Sequence, residues 1–463
     1  MAALSASVVV GASGCSVLNS FDDLKQEVTT GGTGGGAGQG GSAGQGGSSG
    51  GGAGGSAAGG AGGSAGTGGS TTLPPGLVVV AGEGDLSGGG RGLVISALSP
   101  YNGDEYTREE FGAGKNGFVA YDAIADYWYV WTQDTSVTLY TFHVWQFNRT
   151  DQKFDELGFA SVPAPAGVIA VLNKRVLYWS INQEGAGAPT QGFTLLKLDD
   201  PTNPTTTTPV QDTSLAVSPL AAIPRANGTD AGGTVNLFVK NGACSTDGTQ
   251  EGGQDVEVCE VQRYLASVTP AATKPGFAGA PLVVGKVRKN GGSLAAIKAS
   301  DDDAIVFPDP TWEKDTNANF AAKVTRYNPT NFSASGSITF DVKGSFMRGA
   351  AWDPCDKVFF ATESLTDTAI FAVPTAGGGT TFRQGITTPP VGAVYFDQYT
   401  RTVFQPRDSS SNFGLRAFLL EGSASAPSFS ERDPSSGTPW NPPSDLLPKQ
   451  VEVETPVKSF CPQ

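Results

Sequence analysis

One histidine, an aspartate triplet and serine-centred glycine motifs are the groups in this 463-residue chain whose types and spacing suggest reaction chemistry. His143 is the only side chain suited to shuttling a proton near neutral pH. It stands among Tyr140, Phe142, Trp145 and Phe147, a setting that reads as packing or the edge of a lumen. A single histidine rules out a multi-histidine zinc site and argues against a Ser-His-Asp triad. Asp301-Asp302-Asp303 offers oxygen ligands to a hard cation. The triplet lies between two apolar stretches and lacks Asp-x-Asp-x-Asp-Gly spacing, so a solvated turn is the plainer reading. Asp247, Glu251, Asp255 and Glu257 carry the same two readings. Gly-x-Ser-x-Gly occurs at 40–44 and 62–66, in low-complexity sequence without the strand and helix a nucleophile elbow needs. These groups define no catalytic residue and no cofactor, and leave only a divalent metal open.

Five cysteines offer two other chemistries, acylation and oxidation. Cys15 follows an apolar leader that ends in Ala12-Ser13-Gly14. Beyond it, 23 of the 40 residues from Gly31 to Ser70 are glycine and the rest are Ser, Ala, Thr and Gln. Such a tract cannot offset the entropy of ordering it, and as a coil it spans roughly 35 Å. Apolar leader, small residues, cysteine and flexible tract, in that order, resemble a bacterial lipoprotein. The resemblance implies a signal peptide over 1–14, a lipid on Cys15 and a disordered linker within 15–72. It also implies export to the periplasm or cell surface, on the outer membrane because Ser16 rather than Asp follows the cysteine. Setting Cys15 aside leaves Cys244, Cys259, Cys355 and Cys461, an even set suited to an oxidising compartment. Three pairings are open. Cys244 with Cys259, across a Gly-rich segment, is the expected one, and it leaves Cys355 with Cys461 to pin the C-terminus.

The scaffold for these groups begins at Leu77, after Pro74-Pro75. From there to Gln463, short runs of Val, Thr, Phe, Tyr and Trp alternate with Gly, Pro, Asn and Asp, the pattern of strands and turns. A repeat is visible: an apolar strand ending in Asp or another turn former, a polar turn, then an apolar or aromatic return strand. Gly117–Asp122 precedes Tyr127–Trp131, Gly349–Asp353 precedes Val358–Ala361, and Gly392–Asp397 precedes Thr402–Gln405. Looser copies start near 167, 220 and 294. The longest interval, 220 to 294, contains Cys244 and Cys259 and reads as an inserted, stapled loop. These strands resemble β-propellers of the NHL and YVTN type. The resemblance implies one all-β propeller over 77–463, seven-bladed with six blades as the alternative, in which residues near Leu77 complete a blade with C-terminal strands. A pair of β-sandwiches is the competing fold.

Acidic residues outnumber basic ones by 44 to 30, a net charge of −14 that disfavours nucleic acid and anionic membrane surfaces. No stretch after Cys15 is long and apolar enough to span a bilayer. The aromatic run from Tyr127 to Phe147 holds three of the seven tryptophans and suits a core between blades, or else a stacking surface. Asn148, Asn227 and Asn331 open glycosylation sequons that have no bearing in a bacterium. The expected function is recognition: a monomeric, membrane-anchored module that binds a protein, peptide or glycan. The alternatives are a metal-dependent hydrolase or lactonase with its site at the axial channel, and a structural envelope lipoprotein.

Overall fold

The computed structural model describes residues 74–133, 139–172, 174–182, 190–206, 218–225, 234–251, 254–268, 276–288, 297–299, 304–314, 320–327, 334–342, 347–363, 369–374, 379–386, 394–407, 414–432 and 439–456. Every regular element among them is a strand. In chain order these are β1 (Val78–Asp85), β2 (Arg91–Leu98), β3 (Glu105–Gly112), β4 (Gly117–Asp122), β5 (Tyr127–Gln133), β6 (Leu139–Asn148) and β7 (Lys153–Leu172). Next come β8 (Arg175–Asn182), β9 (Thr190–Lys197), β10 (Thr205–Thr206), β11 (Ser218–Arg225), β12 (Thr234–Glu251), β13 (Gln254–Ser267) and β14 (Gly276–Arg288). They are followed by β15 (Ile297–Ala299), β16 (Ala304–Lys314), β17 (Phe320–Tyr327), β18 (Ala334–Val342), β19 (Met347–Asp353), β20 (Val358–Glu363) and β21 (Ala369–Pro374). The last are β22 (Phe382–Gly385), β23 (Tyr395–Asp397), β24 (Thr402–Arg407), β25 (Gly414–Ser423), β26 (Ala426–Arg432) and β27 (Leu447–Val453).

All pairings are antiparallel, and sheet order follows chain order with one exception. β27, the last strand, pairs with β1, so the first sheet runs β27-β1-β2-β3 and joins the two ends of the folded body. The residues after Leu77 thus complete a sheet with the C-terminal strand, as the sequence suggests. β7 serves two sheets: Lys153–Pro163 pairs with β6, and Ala164–Leu172 pairs with β8. Counting β7 twice, the described strands form seven four-stranded groups. Their innermost strands touch in the cycle β27, β4, β7, β11, β15, β19, β23 and back to β27. A closed ring leaves no inner sheet face open to water, which suits a chain with so many apolar strands.

Each group is packed on both faces, and the strand sequences reflect this. Val78, Val79, Val80 and Ala81 in β1 and Ala369 to Val373 in β21 are buried without alternation. Odd-numbered positions of β1 join a core with β4, β5 and β6, while even-numbered ones join a core with β23, β24 and β25. Runs buried on both sides are what such stacking requires.

The segment around Cys244 and Cys259 is not an inserted loop. β12 and β13 run on as one long hairpin, paired out to Glu251 opposite Gln254, and the disulfide joins the directly opposite residues Cys244 and Cys259. Its turn-forming composition had suggested a loop, but cross-strand pairing satisfies the same backbone.

Candidate functional site

The turns that join first to second strands carry the acids of the sequence repeat. Asp122 ends β4; its Oδ1 accepts the amides of Ile124 and Ala125, each at 3.0 Å. Its Oδ2 accepts the Tyr129 hydroxyl and, from the neighbouring group, the Lys174 amide, both at 2.8 Å. Asp353 accepts the Cys355 amide at 2.8 Å, and Asp397 accepts the Thr400 amide at 2.9 Å and its hydroxyl at 2.5 Å. The residue before β5, β8, β20 and β24 is left-handed: Asp126, Lys174, Lys357 and Arg401 have φ of 55°, 55°, 57° and 53°. Non-glycine residues tolerate that region only where surrounding contacts hold them; Asp122 holds Lys174 directly through its amide, and the carboxylates fix the turn residues ahead of Asp126, Lys357 and Arg401. Burial pushes Asp353 and Asp397 up to about 6, despite these hydrogen bonds. Arg401 binds Asp356 and lies 4.0 Å from Asp353, tying two groups together. These acids build the ring.

A second polar row lies on β27, at the inner edge. The Gln450 amide exchanges hydrogen bonds with Val119, accepting from its nitrogen at 2.9 Å and donating to its oxygen at 3.0 Å. Glu452 is buried, and its carboxyl is held well above the usual range by desolvation. Glu454 receives Arg149 Nη2 at 2.5 and 2.6 Å, and burial raises its carboxyl although the guanidinium opposes the shift. Arg149 also donates to the Pro74 oxygen, and Tyr101 to the Pro75 oxygen, each at 3.2 Å. This row clamps the chain where it enters the ring.

The outer cleft between the first two groups is different. Across β2 and β3, Glu109 lies opposite Ile95, whose side packs on β4, β5 and β6. Phe111 extends the same strand, with its ring stacked on Trp145 at 6.0 Å and 5.8 Å from His143. On β7, Glu156 stands opposite Trp145, and Phe159 stands opposite His143. Cross-strand partners share a sheet face, so two carboxylates, one imidazole and the rings of Phe111 and Phe159 line this cleft, and Trp145 behind them belongs to the core. Phe159 is 66% exposed and the Glu156 side chain 46%.

His143 holds the cleft's acid in place. Its Nδ1 is 2.6 Å from Glu156 Oε1, and its Nε2 is 3.0 Å from Thr132 Oγ1. A carboxylate only accepts, so Nδ1 carries the proton, and in the neutral ring Nε2 then accepts from the Thr132 hydroxyl. The order hydroxyl, imidazole, carboxylate matches that of a nucleophilic triad. Thr132, however, is only 4% exposed within β5, which leaves a substrate carbonyl no approach to its oxygen. The relay orients Glu156. The carboxyl of Glu109 is raised by burial and, secondarily, by the charge of Glu156.

The expected site residues are scattered. His143 is packed, as its neighbours suggest, and the aromatic run supplies core: Trp128, Tyr129, Trp131 and Phe142 are all buried. Cys244 and Cys259 are bonded, with Cα atoms 4.1 Å apart. Cys355 is also in a disulfide, whose partner lies outside the described residues, as do Cys15, Cys461 and Asp301-Asp302-Asp303. Glu257 is exposed on β13, while the side chains of Asp247, Glu251 and Asp255 lie outside the description. Among the described residues no three His, Cys, Asp or Glu side chains gather as a metal-binding set. No helix there is long and apolar enough to cross a membrane. Glu109, Glu156 and Phe159 went unread in the sequence, because their strands, EYTREEFG and KFDELGFASV, give them no signal of their own.

No protein-family model matches this chain, and no curated protein matches it. Among solved structures it is similar to the periplasmic gluconolactonase PpgL of Pseudomonas aeruginosa, at 11% identity and a TM-score of 0.52. That match covers 82% of this chain and 98% of PpgL. AztD of Citrobacter koseri matches at 12% identity over 82% of this chain and 97% of its own, with a TM-score of 0.43. The Dos1 propeller matches at 10% identity over 70% of this chain and 78% of its own, with a TM-score of 0.37. At such identities a likeness concerns fold and not chemistry. With its sheets ringed about one axis and its likeness to PpgL over nearly all of that chain, the body is an all-β propeller.

Proposed function

We propose that this propeller is a recognition module of the bacterial envelope, presenting the outer cleft between its first two sheets to a protein or peptide partner. The observation that carries the reading is the pairing of an exposed Phe159 with a Glu156 held by His143, in a cleft whose other walls are packed. Preorganised polar groups beside an open aromatic ring are the ingredients of a binding hot spot. Each four-stranded group is read as a blade, giving seven. Cys15 carries lipid, the Gly-rich tract to residue 72 is the tether, and Cys355 pairs with Cys461. The similarity to a periplasmic protein fits export, and the clamp on Pro74 and Pro75 fits a load-bearing tether. The test is site-specific photocrosslinking in intact cells. A crosslinker at position 159 is expected to trap a discrete partner that the same group at position 428, on β26, does not. Equal yields from both sites would overturn the reading.

A further inference from the structure

Resting on that recognition reading, we infer that the cleft binds a guanidinium group, the side chain of an arginine in an extended segment of the partner. Three features of the cleft converge on this ligand. Glu109 on β3 and Glu156 on β7 border the same interface from neighbouring sheets: Glu109 shares its strand with Phe111, whose ring lies 5.8 Å from His143, and Glu156 is 2.6 Å from that imidazole. The basic residue beside them on β3, Arg108, is engaged elsewhere: it donates to Glu105 at 2.8 Å and to Asp445 at 2.6 and 3.1 Å. Neither carboxylate is bonded to a lysine or an arginine among the described residues. A guest cation placed between two carboxylates relieves their repulsion and is held by both.

The rings decide which cation. Phe159, 66% exposed, offers an open ring face beside Glu156, while Phe111 and Trp145 stack on each other at 17° between planes and back the site. A guanidinium is planar and weakly hydrated; it can stack on a ring while its fork binds a carboxylate through two parallel hydrogen bonds. Glu156 suits that role. The imidazole fixes one of its oxygens, and the other carries no hydrogen bond among the described residues. An ammonium is a compact, strongly hydrated point charge and would use the rings less well. The net charge of −14 draws cationic segments toward the surface at modest ionic strength.

The experiment is calorimetric titration of the full chain with three probes: acetyl-Arg-Arg-amide, acetyl-Lys-Lys-amide and acetyl-Glu-Glu-amide. The arginine peptide is expected to bind most tightly and the glutamate peptide not at all. Glu156→Gln is expected to weaken the arginine peptide about fivefold, and Phe159→Ala about threefold. Glu83→Gln removes an equal charge from an exposed residue paired with Lys449, so it controls for net charge and is expected to change affinity less than about twofold. Thermal melting of each variant excludes misfolding as the cause. Equal effects of E156Q and E83Q, or arginine binding no tighter than glutamate, would overturn the inference. If the crosslinker at position 159 still captures a partner in that event, only the ligand class is wrong. If it captures none, the recognition reading falls with it.

Discussion

The turn acids and the cleft acids are the same chemical groups put to opposite uses. Asp122 accepts four hydrogen bonds from within the ring, two from its own turn, one from a tyrosine and one from the next sheet. Glu156 accepts one, from an imidazole, and stays half open to solvent. A buried carboxylate whose lone pairs are all engaged holds structure and has nothing left for a ligand. One that is oriented but incompletely engaged is ready to bind. In this molecule Asp122, an acid of the repeat, does the first job, and Glu156, outside the repeat, is free for the second.

The largest way to test that contrast is to remove the turn acid. Asp122→Ala leaves the amides of Ile124, Ala125 and Lys174 and the Tyr129 hydroxyl without their acceptor, and is expected to cost about 4 kcal/mol of stability in urea denaturation. A loss below about 1 kcal/mol would mean that the turn carries little of the load.

Proton linkage sharpens the same comparison. Asp353 and Asp397 are raised by burial to about 6, above the value of about 3.9 expected unfolded. Between those values the folded state binds more protons than the unfolded one, so their contribution to stability falls as pH rises from about 4 to about 6. The effect is expected to be about 2–3 kcal/mol for each residue at pH 7 relative to pH 4. Urea midpoints taken across this range should decline with rising pH, and Asp397→Asn should flatten the slope.

Arg401 sits between the two uses, because it neutralises Asp356 and stands near Asp353 across a sheet boundary. Arg401→Gln is expected to cost about 1–2 kcal/mol. It should also move the pH dependence of stability upward, since the cation that opposes the rise of Asp353 is gone. The smallest stability effect is expected in the cleft: Glu156→Gln should change the unfolding free energy by less than about 1 kcal/mol. A larger loss there would make Glu156 another structural acid and break the contrast.

How far the sequence reveals this follows from the same distinction. Gly117–Asp122 with Tyr127–Trp131, and its copies near 349 and 392, are legible because these three sheets solve one turn problem with one residue pattern. Closure of the ring is legible too, because an apolar run at 77–81 needs an outside partner. Sharing of β7 between two sheets is hidden: Pro163-Ala-Pro165 reads as a break, yet the chain stays extended through it and changes partners there. The β12–β13 hairpin is hidden for the same kind of reason, since its glycines resemble a loop until the register is known. The cleft is least legible of all. Glu109 and Phe111 lie on one sheet and Glu156 and Phe159 on the next, about fifty residues along, with no periodicity to join them. Only packing brings them together.

Because His143 is the sole histidine, its imidazole gives one set of signals in a histidine-labelled protein. The most direct measurement is the nuclear magnetic resonance of that ring in the full chain as acetyl-Arg-Arg-amide is added. A guanidinium held by Glu156 should shift the His143 signals progressively to saturation, and Glu156→Gln should raise the peptide concentration at half-saturation about fivefold. Signals that stay fixed while the peptide saturates the protein would place binding elsewhere and contradict the assignment of this cleft as the recognition site.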